Sequence, residues 1–464
     1  MSTRAARPGI AYRSGIRSHR GARSRLGDGA QELSFDERRA SSDLFKFEGS
    51  GDMALVDMRD MLGHAYRNGY AVGAFDLVSL DFLEAIIDAA ERCHAPVVLS
   101  LAESHFDYFD FDLVMPAVEA AARRTEVPVA IHLDHGESLE SAVRGIRLGC
   151  NGVMVDASGH PFEDNVARTR EVVRMAHGCG VPVEGELGYV AGVEGEDAEK
   201  HPGDVIYTSV EEAKAYAERT GVDFLAVSVG TVHGRMRGTP KLDFQRLARI
   251  NASLGIPLVI HGGTGLSDDQ FRHLIANGVA KINYYTALSD AAAARIRDNA
   301  ARDSGGGYTA LVNGIQDAIG QEVERCMRLW GSAGRAAEMA MQCRAWQGVE
   351  HVILYNVTGG TEVDVDEMVA EGREVLGAIP GVREVFAGEA VTRGASYRYC
   401  WLVQFAHPAV IESYRVHPDH VRFADGKFRP CAPDRTSVDY QSVARSRGSG
   451  PIQQQYSARG EQPG

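Results

Sequence analysis

From position 53 onward the chain repeats one theme: a short apolar run, a polar or glycine-bearing loop, then a helix-length stretch with an apolar stripe. The runs lie at 71–75, 96–101, 128–133, 152–155, 181–187, 224–229, 257–260 and 281–283. Between them, stretches such as 79–90, with Leu80, Leu83, Ile86 and Ile87, and 138–148, with Leu139, Val143 and Ile146, space their apolar residues as one buried helix face does. Eight such units predict an α/β fold, a closed (β/α)8 TIM barrel, for which about 250 residues is usual. The alternation excludes an all-β or bundle fold more firmly than an open doubly wound sheet, and the count of eight decides for closure.

After Leu288 the pattern turns helical, through 291–301 and 315–329, and 331–348 reads as a helical linker rich in Ala and Met. At 349 the period changes to two, which predicts a strand. A helix at 364–378, strands at 382–386 and 399–405, a helix at 408–416 and a last strand near 437–440 complete a small α+β, ferredoxin-like unit. The expected organisation is a leader over 1–52, a barrel domain over 53–330, a linker over 331–348, the α+β domain over 349–443 and a tail over 444–464. Leader and tail are expected to be disordered: the first carries Arg4, Arg7, Arg13, Arg17, Arg20, Arg23 and Arg25 before any acid, and the second is rich in Gln, Ser and Gly. Either Met1 or Met53 would serve as the start of the folded protein.

Composition narrows the class. A formal charge of -14 argues against a general nucleic-acid binder, and no apolar run approaches the roughly 20 residues of a membrane span. Seven cysteines without any metal-ligand spacing point to reduced thiols and a cytoplasmic setting.

The chemistry gathers where the runs end. Their C-terminal ends carry Asp76; Glu103 and His105; Asp134 and His135; Asp156; Glu186; His233; His261; Asn283 and Thr286. That end of a barrel is where α/β barrels keep their active sites. Residues two apart share a strand face, so Asp134 and His135 both point inward only if the chain is already turning, and Gly136 offers such a turn. Three histidines from three strand ends can converge on one ion, and three imidazoles with an open fourth position suit catalytic zinc. The turn His261-Gly262-Gly263-Thr264-Gly265, with Asn283 and Thr286 on the next run, occupies the corner where barrels commonly hold a phosphate. The acidic, glycine-spaced stretch from Glu186 through Glu194 to about Tyr207 suits a mobile lid and equally a solvated loop.

From about Met53 to Leu329 these motifs resemble the class II, zinc-dependent ketose-bisphosphate aldolases: Leu-Asp134-His135, Val-Asp156-Ala-Ser158, Glu-Gly-Glu186-Leu-Gly188, Val-His233-Gly234, His261-Gly-Gly-Thr-Gly265 and Lys-Ile-Asn283-x-x-Thr286. The resemblance implies one zinc ion per subunit on His135, His233 and His261, with Glu186 as an alternative or supporting ligand, Asp156 behind the ligands, and room for a monovalent cation. It makes Asp134 the acid/base on the substrate hydroxyl and Glu194 the residue exchanging a proton at the enediolate carbon. Gly234, Gly262, Gly263, Thr264, Asn283 and Thr286 would hold a phosphorylated sugar, with Arg237 where such enzymes often place a lysine. The implied reaction cleaves or forms a phosphorylated ketose from dihydroxyacetone phosphate and an aldehyde.

Two positions depart from the pattern. Asp76 replaces the usual Asn, and Ala102-Glu103-Ser104-His105-Phe106 replaces a Ser- and Gly-containing loop, so the substrate is expected to differ from an ordinary bisphosphate. Residues 349–443 resemble the Dabb, or stress-responsive dimeric α/β-barrel, domains through His351-Val-Ile-Leu-Tyr, Ile379-Pro-Gly-Val382 and His417-Pro-x-His420. That resemblance implies dimerisation, within a homodimer or homotetramer, before any second catalytic role. The rival readings are a TIM-barrel metal hydrolase and a non-catalytic sugar-phosphate sensor.

Overall fold

The computed structural model describes residues 54–106, 110–188, 190, 196–197, 206–235, 240–357 and 365–442. The expected leader and tail, Glu194 and Arg237 lie outside them. Among the described residues eight parallel strands close into a barrel in sequence order: β1 Val72–Asp76, β2 Val97–Ala102, β3 Val129–Gly136, β4 Gly152–Val155, β5 Val183–Leu187, β6 Phe224–Val227, β7 Leu258–Ile260 and β8 Val279–Tyr284. Closure is made by β1 pairing with β8, Val72 opposite Lys281 and Ala74 opposite Asn283.

The barrel interior is graded. At the N-terminal ends of the strands Val72, Ala74, Val98, Ala130, Phe224, Ala226 and Val259 form an apolar floor, closed from below by Met58, Met61 and Leu62 of the helix Met58–Arg67. Asp57 caps that helix, accepting from the Arg59 amide at 2.8 Å. The plug is tight: a Cβ on Gly152 would lie 2.2 Å from Met58 Sδ. Above the floor, Ser100, His132, Glu184 and Lys281 are fully buried polar groups. The mouth above them carries Asp76, Asp134, Glu186, His261 and Asn283.

The stretch expected as a linker is part of this base. Its helix runs Ala336–Gln342, and Met339 and Trp346 are buried. Leu55 bridges to Val129 and Val56 to Ala345, and Trp346 N donates to Leu55 O at 2.8 Å, so the chain enters and leaves the barrel side by side.

The second unit is an antiparallel sheet, β9 Val349–Asn356, β10 Val382–Glu389, β11 Tyr399–Phe405 and β12 Asp434–Tyr440, in the order β10-β11-β9-β12. The helices Val365–Gly377, Val410–Val416 and Pro418–Phe423 cover one face, over Tyr355, Trp401, Val403 and Phe405. On the other face Phe386, Leu402, Val352 and Val438 stand in one row across all four strands.

The two units meet at the base of the barrel. Arg383, at the irregular start of β10, makes a two-pronged contact with Glu119 on the helix Phe111–Arg124, both distances 2.7 Å. Arg147 donates to Gly377 O, Ser413 to Gly178 O, and His407 stacks on Trp346 at 4.5 Å. Burial alone would raise the Glu119 carboxyl, but Arg383 and Arg123 outweigh it and bring it down to about 2. A carboxyl depressed in the folded state contributes its stability above its unfolded pKa and loses it as the pH falls through the folded one. Arg383→Ala is therefore expected to cost about 2 kcal/mol near neutral pH, since it strands a largely buried carboxylate. In urea titrations the difference from the unaltered chain should shrink between pH 4.5 and pH 2. A difference constant with pH would show that the ion pair is not its source.

Candidate active site

The backbone at the end of β3 aims two side chains at once. His135 has φ 47, the left-handed region, and the β3–β4 register shifts between Leu133 and Gly136. The turn expected at Gly136 thus falls one residue earlier, on His135 itself, and Asp134 and His135 both reach the mouth. For a residue with a Cβ this conformation costs roughly 1–2 kcal/mol and persists because its surroundings hold it. Gly136 is needed for another reason: a Cβ there would lie 2.6 Å from Met154 O.

Three imidazoles converge as expected. The rings of His135, His233 and His261 have centroids 4.6 to 5.9 Å apart, and one nitrogen from each lies within 4.8 Å of the others. His135 Nδ1 is 2.8 Å from Asp156 Oδ2, and Asp156 is itself held by the Ser158 hydroxyl and amide. His261 Nε2 is 2.9 Å from Glu184 Oε1, whose other oxygen accepts from Lys281 Nζ at 2.7 Å. A carboxylate can only accept, so it fixes the proton on the nitrogen it faces and leaves a lone pair on the far one. The two far nitrogens, His135 Nε2 and His261 Nδ1, face each other at 2.8 Å. Two lone pairs at that distance repel unless the pair binds a cation, a proton shared between the rings or a metal ion held by both, and with His233 alongside the three nitrogens form a donor set that fits a metal ion.

Electrostatics agree. Burial opposes charge on His135, but Asp134 and Asp156 outweigh it and raise the group well above its ordinary value. Burial and the neighbouring His135 push His261 down to about 4 and His233 to about 3. The cluster therefore carries one positive charge among flanking carboxylates. Burial would raise Asp134, yet His135, His261 and Lys281 hold it well below the carboxylate range, and the Asn283 amide donates to both its oxygens at 2.9 and 2.8 Å. Glu186, buried beside Asp156, is raised well above its ordinary value and lies within ligand reach of His135.

The phosphate corner takes shape from two touching loops. A Cβ on Gly262, φ +68, would lie 2.2 Å from Val232 O, so the turn after β7 packs directly on the loop bearing His233 and Gly234. Gly263 is buried and Thr264 half-buried there, and Thr286 is the buried first residue of the helix Thr286–Arg302. Asn283 is buried beside this corner, and its amide donates to Asp134.

Of the two departures, one is corrected. Asp76 is buried at the mouth end of β1, and His105, buried against Tyr285 at 5.1 Å, feels the charges of Asp76 and Asp134. Glu103 does not face the site. Its oxygens accept from the Glu137 amide at 2.8 Å and the Ser141 hydroxyl at 2.6 Å, tying down the loop after β3.

The buried polar layer of Glu184, Lys281 and His132 beneath the mouth was not foreseen. Each lies two residues before a mouth residue on its own strand, Glu186, Asn283 and Asp134, so period two was the signal that could have found them.

The model of the class II fructose-bisphosphate aldolase family matches residues 56–335. The chain belongs to that family. Among its aldolase relatives is a probable fructose-bisphosphate aldolase of Bacillus subtilis (strain 168), 42% identical over 288 residues, 61% of this chain and 100% of that protein. A fructose-bisphosphate aldolase of Geobacillus stearothermophilus is 41% identical over 290 residues, 62% of this chain and 100% of that one. Of solved structures, the YdjI aldolase from Escherichia coli K12 superposes with a TM-score of 0.55 at 33% identity, covering 61% of this chain and 99% of that one. Residues 349–442 match the stress responsive A/B barrel, or Dabb, domain. The protein is thus a class II aldolase, a carbon–carbon lyase of a generally metal-dependent family, which sets aside the hydrolase and sensor readings. No helix among the described residues is long and apolar enough to cross a membrane.

Proposed function

We propose that the protein is a zinc-dependent aldolase that cleaves or forms a ketose phosphate from dihydroxyacetone phosphate and an aldehyde, in the cytoplasm. The observation that carries this is the pair of carboxylate-anchored imidazoles facing each other across 2.8 Å beside His233, with the ionised Asp134 next to them. His135, His233 and His261 would hold the metal, with Glu186 in reach and Asp156 and Glu184 fixing the ligands. When bound, zinc supplies a Lewis acid for the ketone oxygen and steadies the negative charge left by carbon–carbon cleavage.

Asp134, held by Asn283 and kept ionised, takes the proton from the hydroxyl next to the bond that breaks. Glu194, which follows β5 in the sequence, exchanges the proton at the carbon of the three-carbon fragment. Gly234, Gly262, Gly263, Thr264, Asn283 and Thr286 hold its phosphate with backbone N–H groups, an amide and hydroxyls, joined by Arg237. A coupled assay against a panel of ketose mono- and bisphosphates, with and without chelator, tests the reading: cleavage insensitive to chelator, or none, overturns it.

Asp76 sets the far end of the substrate. A buried carboxylate there repels a second phosphate, so a ketose with one phosphate and free hydroxyls is expected to be preferred over fructose 1,6-bisphosphate. Asp76→Asn should move the ratio of kcat/KM toward the bisphosphate. Efficient cleavage of that compound by the unaltered chain, about 10,000 per molar per second or more, would contradict the assignment.

The Dabb domain is assigned to dimerisation, giving a homodimer or homotetramer. Its support is the row Phe386, Leu402, Val352 and Val438, of which Phe386 is 49% and Val438 46% exposed in the single chain. Leu402→Arg is expected to halve the mass in sedimentation, because two copies would bring like charges together on an apolar face. An unchanged mass would place the subunit contact elsewhere.

A further inference from the structure

The metal and phosphate groups leave one side of the barrel mouth to the aldehyde half of the substrate. His135, His233 and His261 come from the ends of β3, β6 and β7, the phosphate residues follow β6, β7 and β8, and β4 and β5 bring Asp156 and Glu186 to the metal. What remains lies over β1 and β2, where Asp76 and His105 are buried. Those two strands stand between β8 and β3 in the closed barrel, so this side adjoins Asp134 on β3.

His105 is fixed there from both sides. Ala102, the last residue of β2, stands opposite Asp134, and the 3-10 turn Glu103–His105 follows at once. Glu103 is tied to the Glu137 amide at 2.8 Å and to the Ser141 hydroxyl at 2.6 Å, which pins the turn and leaves His105 inside. Its ring lies 5.1 Å from that of Tyr285, itself 6.3 Å from Phe82. Tyr285 directly precedes Thr286, so this contact joins the turn after β2 to the phosphate corner. His105 is 4% exposed, Asp134 0% and His261 1%, so enclosure belongs to the whole mouth.

Packing against Tyr285 would be served as well by an apolar ring. The imidazole adds hydrogen-bonding capacity at a place where burial makes such capacity costly. Burial outweighs the charges of Asp76 and Asp134 and lowers His105, so the ring is neutral at pH 7. A neutral imidazole offers one N–H and one lone pair, which is what an alcohol can both accept and donate to. It has no charge with which to hold a phosphate, and Asp76 beside it repels one. Asp134 meets the hydroxyl at the bond that breaks. A group next to Asp134, on the side away from the phosphate, therefore faces the following carbon of the aldehyde half.

Given the aldol chemistry assigned to the barrel, we propose that His105 is the specificity-determining residue for the aldehyde half: it hydrogen-bonds a hydroxyl on the carbon next to the aldehyde carbon. The enzyme thus takes unphosphorylated 2-hydroxyaldehydes. Tyr285 and the Glu103 anchor hold the imidazole in place for this contact, and the proton transfer at Asp134 goes on without it.

Lactaldehyde and propanal differ only in that hydroxyl. In condensations with dihydroxyacetone phosphate, the zinc-loaded full-length protein is expected to favour lactaldehyde by about 100-fold or more in kcat/KM, because propanal leaves a buried imidazole unpaired. His105→Ala should bring the ratio within about fivefold, chiefly by slowing lactaldehyde, and His105→Asn, which keeps a donor and an acceptor, should restore part of it. Deuterium exchange from D2O into dihydroxyacetone phosphate, which needs no aldehyde, reports separately on the metal half in each variant. A ratio near one in the unaltered chain overturns the proposal, as does a ratio that His105→Ala preserves while exchange continues. The ratio in the unaltered chain decides even if a variant fails to fold. Exchange without a preference between the two aldehydes removes His105 from its role and leaves the aldolase reading standing, whereas a chain that shows neither exchange nor condensation overturns both.

Discussion

Replacing Asp134 by alanine is expected to lower turnover by about 100- to 10,000-fold, the range of a positioned general base, while the protein keeps its metal. The separation of the two effects follows from the geometry. Asp134 is anchored by Asn283, with Lys281 Nζ 4.0 Å away, whereas Asp156 and Glu184 hold His135 and His261. Removing Asp134 therefore takes away the proton acceptor and leaves both carboxylate–imidazole pairs. The Asn283 amide loses its partner at the same time, so Asp134→Asn, which keeps the shape without the charge, should be nearly as slow. Metal content by mass spectrometry beside steady-state rates checks this, and near-normal rates in either variant would remove Asp134 from its role.

The second large effect concerns the metal. His135→Ala, His233→Ala and His261→Ala are each expected to lose the ion and with it cleavage, because two imidazoles hold zinc weakly and Glu186, beside His135, makes up only part of the donor set. Glu184→Gln tests the layer beneath. It removes the charge that sets the His261 tautomer and leaves Lys281 facing an amide, and loss of such a partner typically weakens metal affinity 10- to 100-fold. Stoichiometric zinc in all three histidine variants would overturn the ligand assignment, and unaltered affinity in Glu184→Gln would make that residue a packing group.

Much of this was legible in the sequence because a parallel barrel writes each strand as a short apolar run. All eight runs overlap observed strands, and those at 71–75, 96–101, 152–155 and 257–260 agree to within a residue at each end. The mouth residues were legible because polarity appears abruptly where each run stops. The buried layer that Glu184, Lys281 and His132 form together was not, since a polar residue inside an apolar run looks like an interruption until its partners are known. Glu103 misled for the reverse reason: an acid in a mouth loop looks aimed at substrate, but a short 3-10 turn at Glu103–His105 sends it toward Ser141 and brings His105 inward. The left-handed backbone at His135 has no signature, because histidine adopts it only where the surroundings compel it.

Entry and exit lie side by side at the base of the barrel, Val56 against Ala345 and Trp346 on Leu55. In connectivity the barrel is therefore nearly a ring with a seam far from the catalytic mouth, and its linear order is a matter of where the ring is cut. A short bridge from Trp346 back to Ala54 would close it, and a turn such as Gly255, open enough that a Cβ there meets nothing within 4 Å, could serve as new termini. Anything fused at the seam is carried beneath the enzyme, out of the path of substrate.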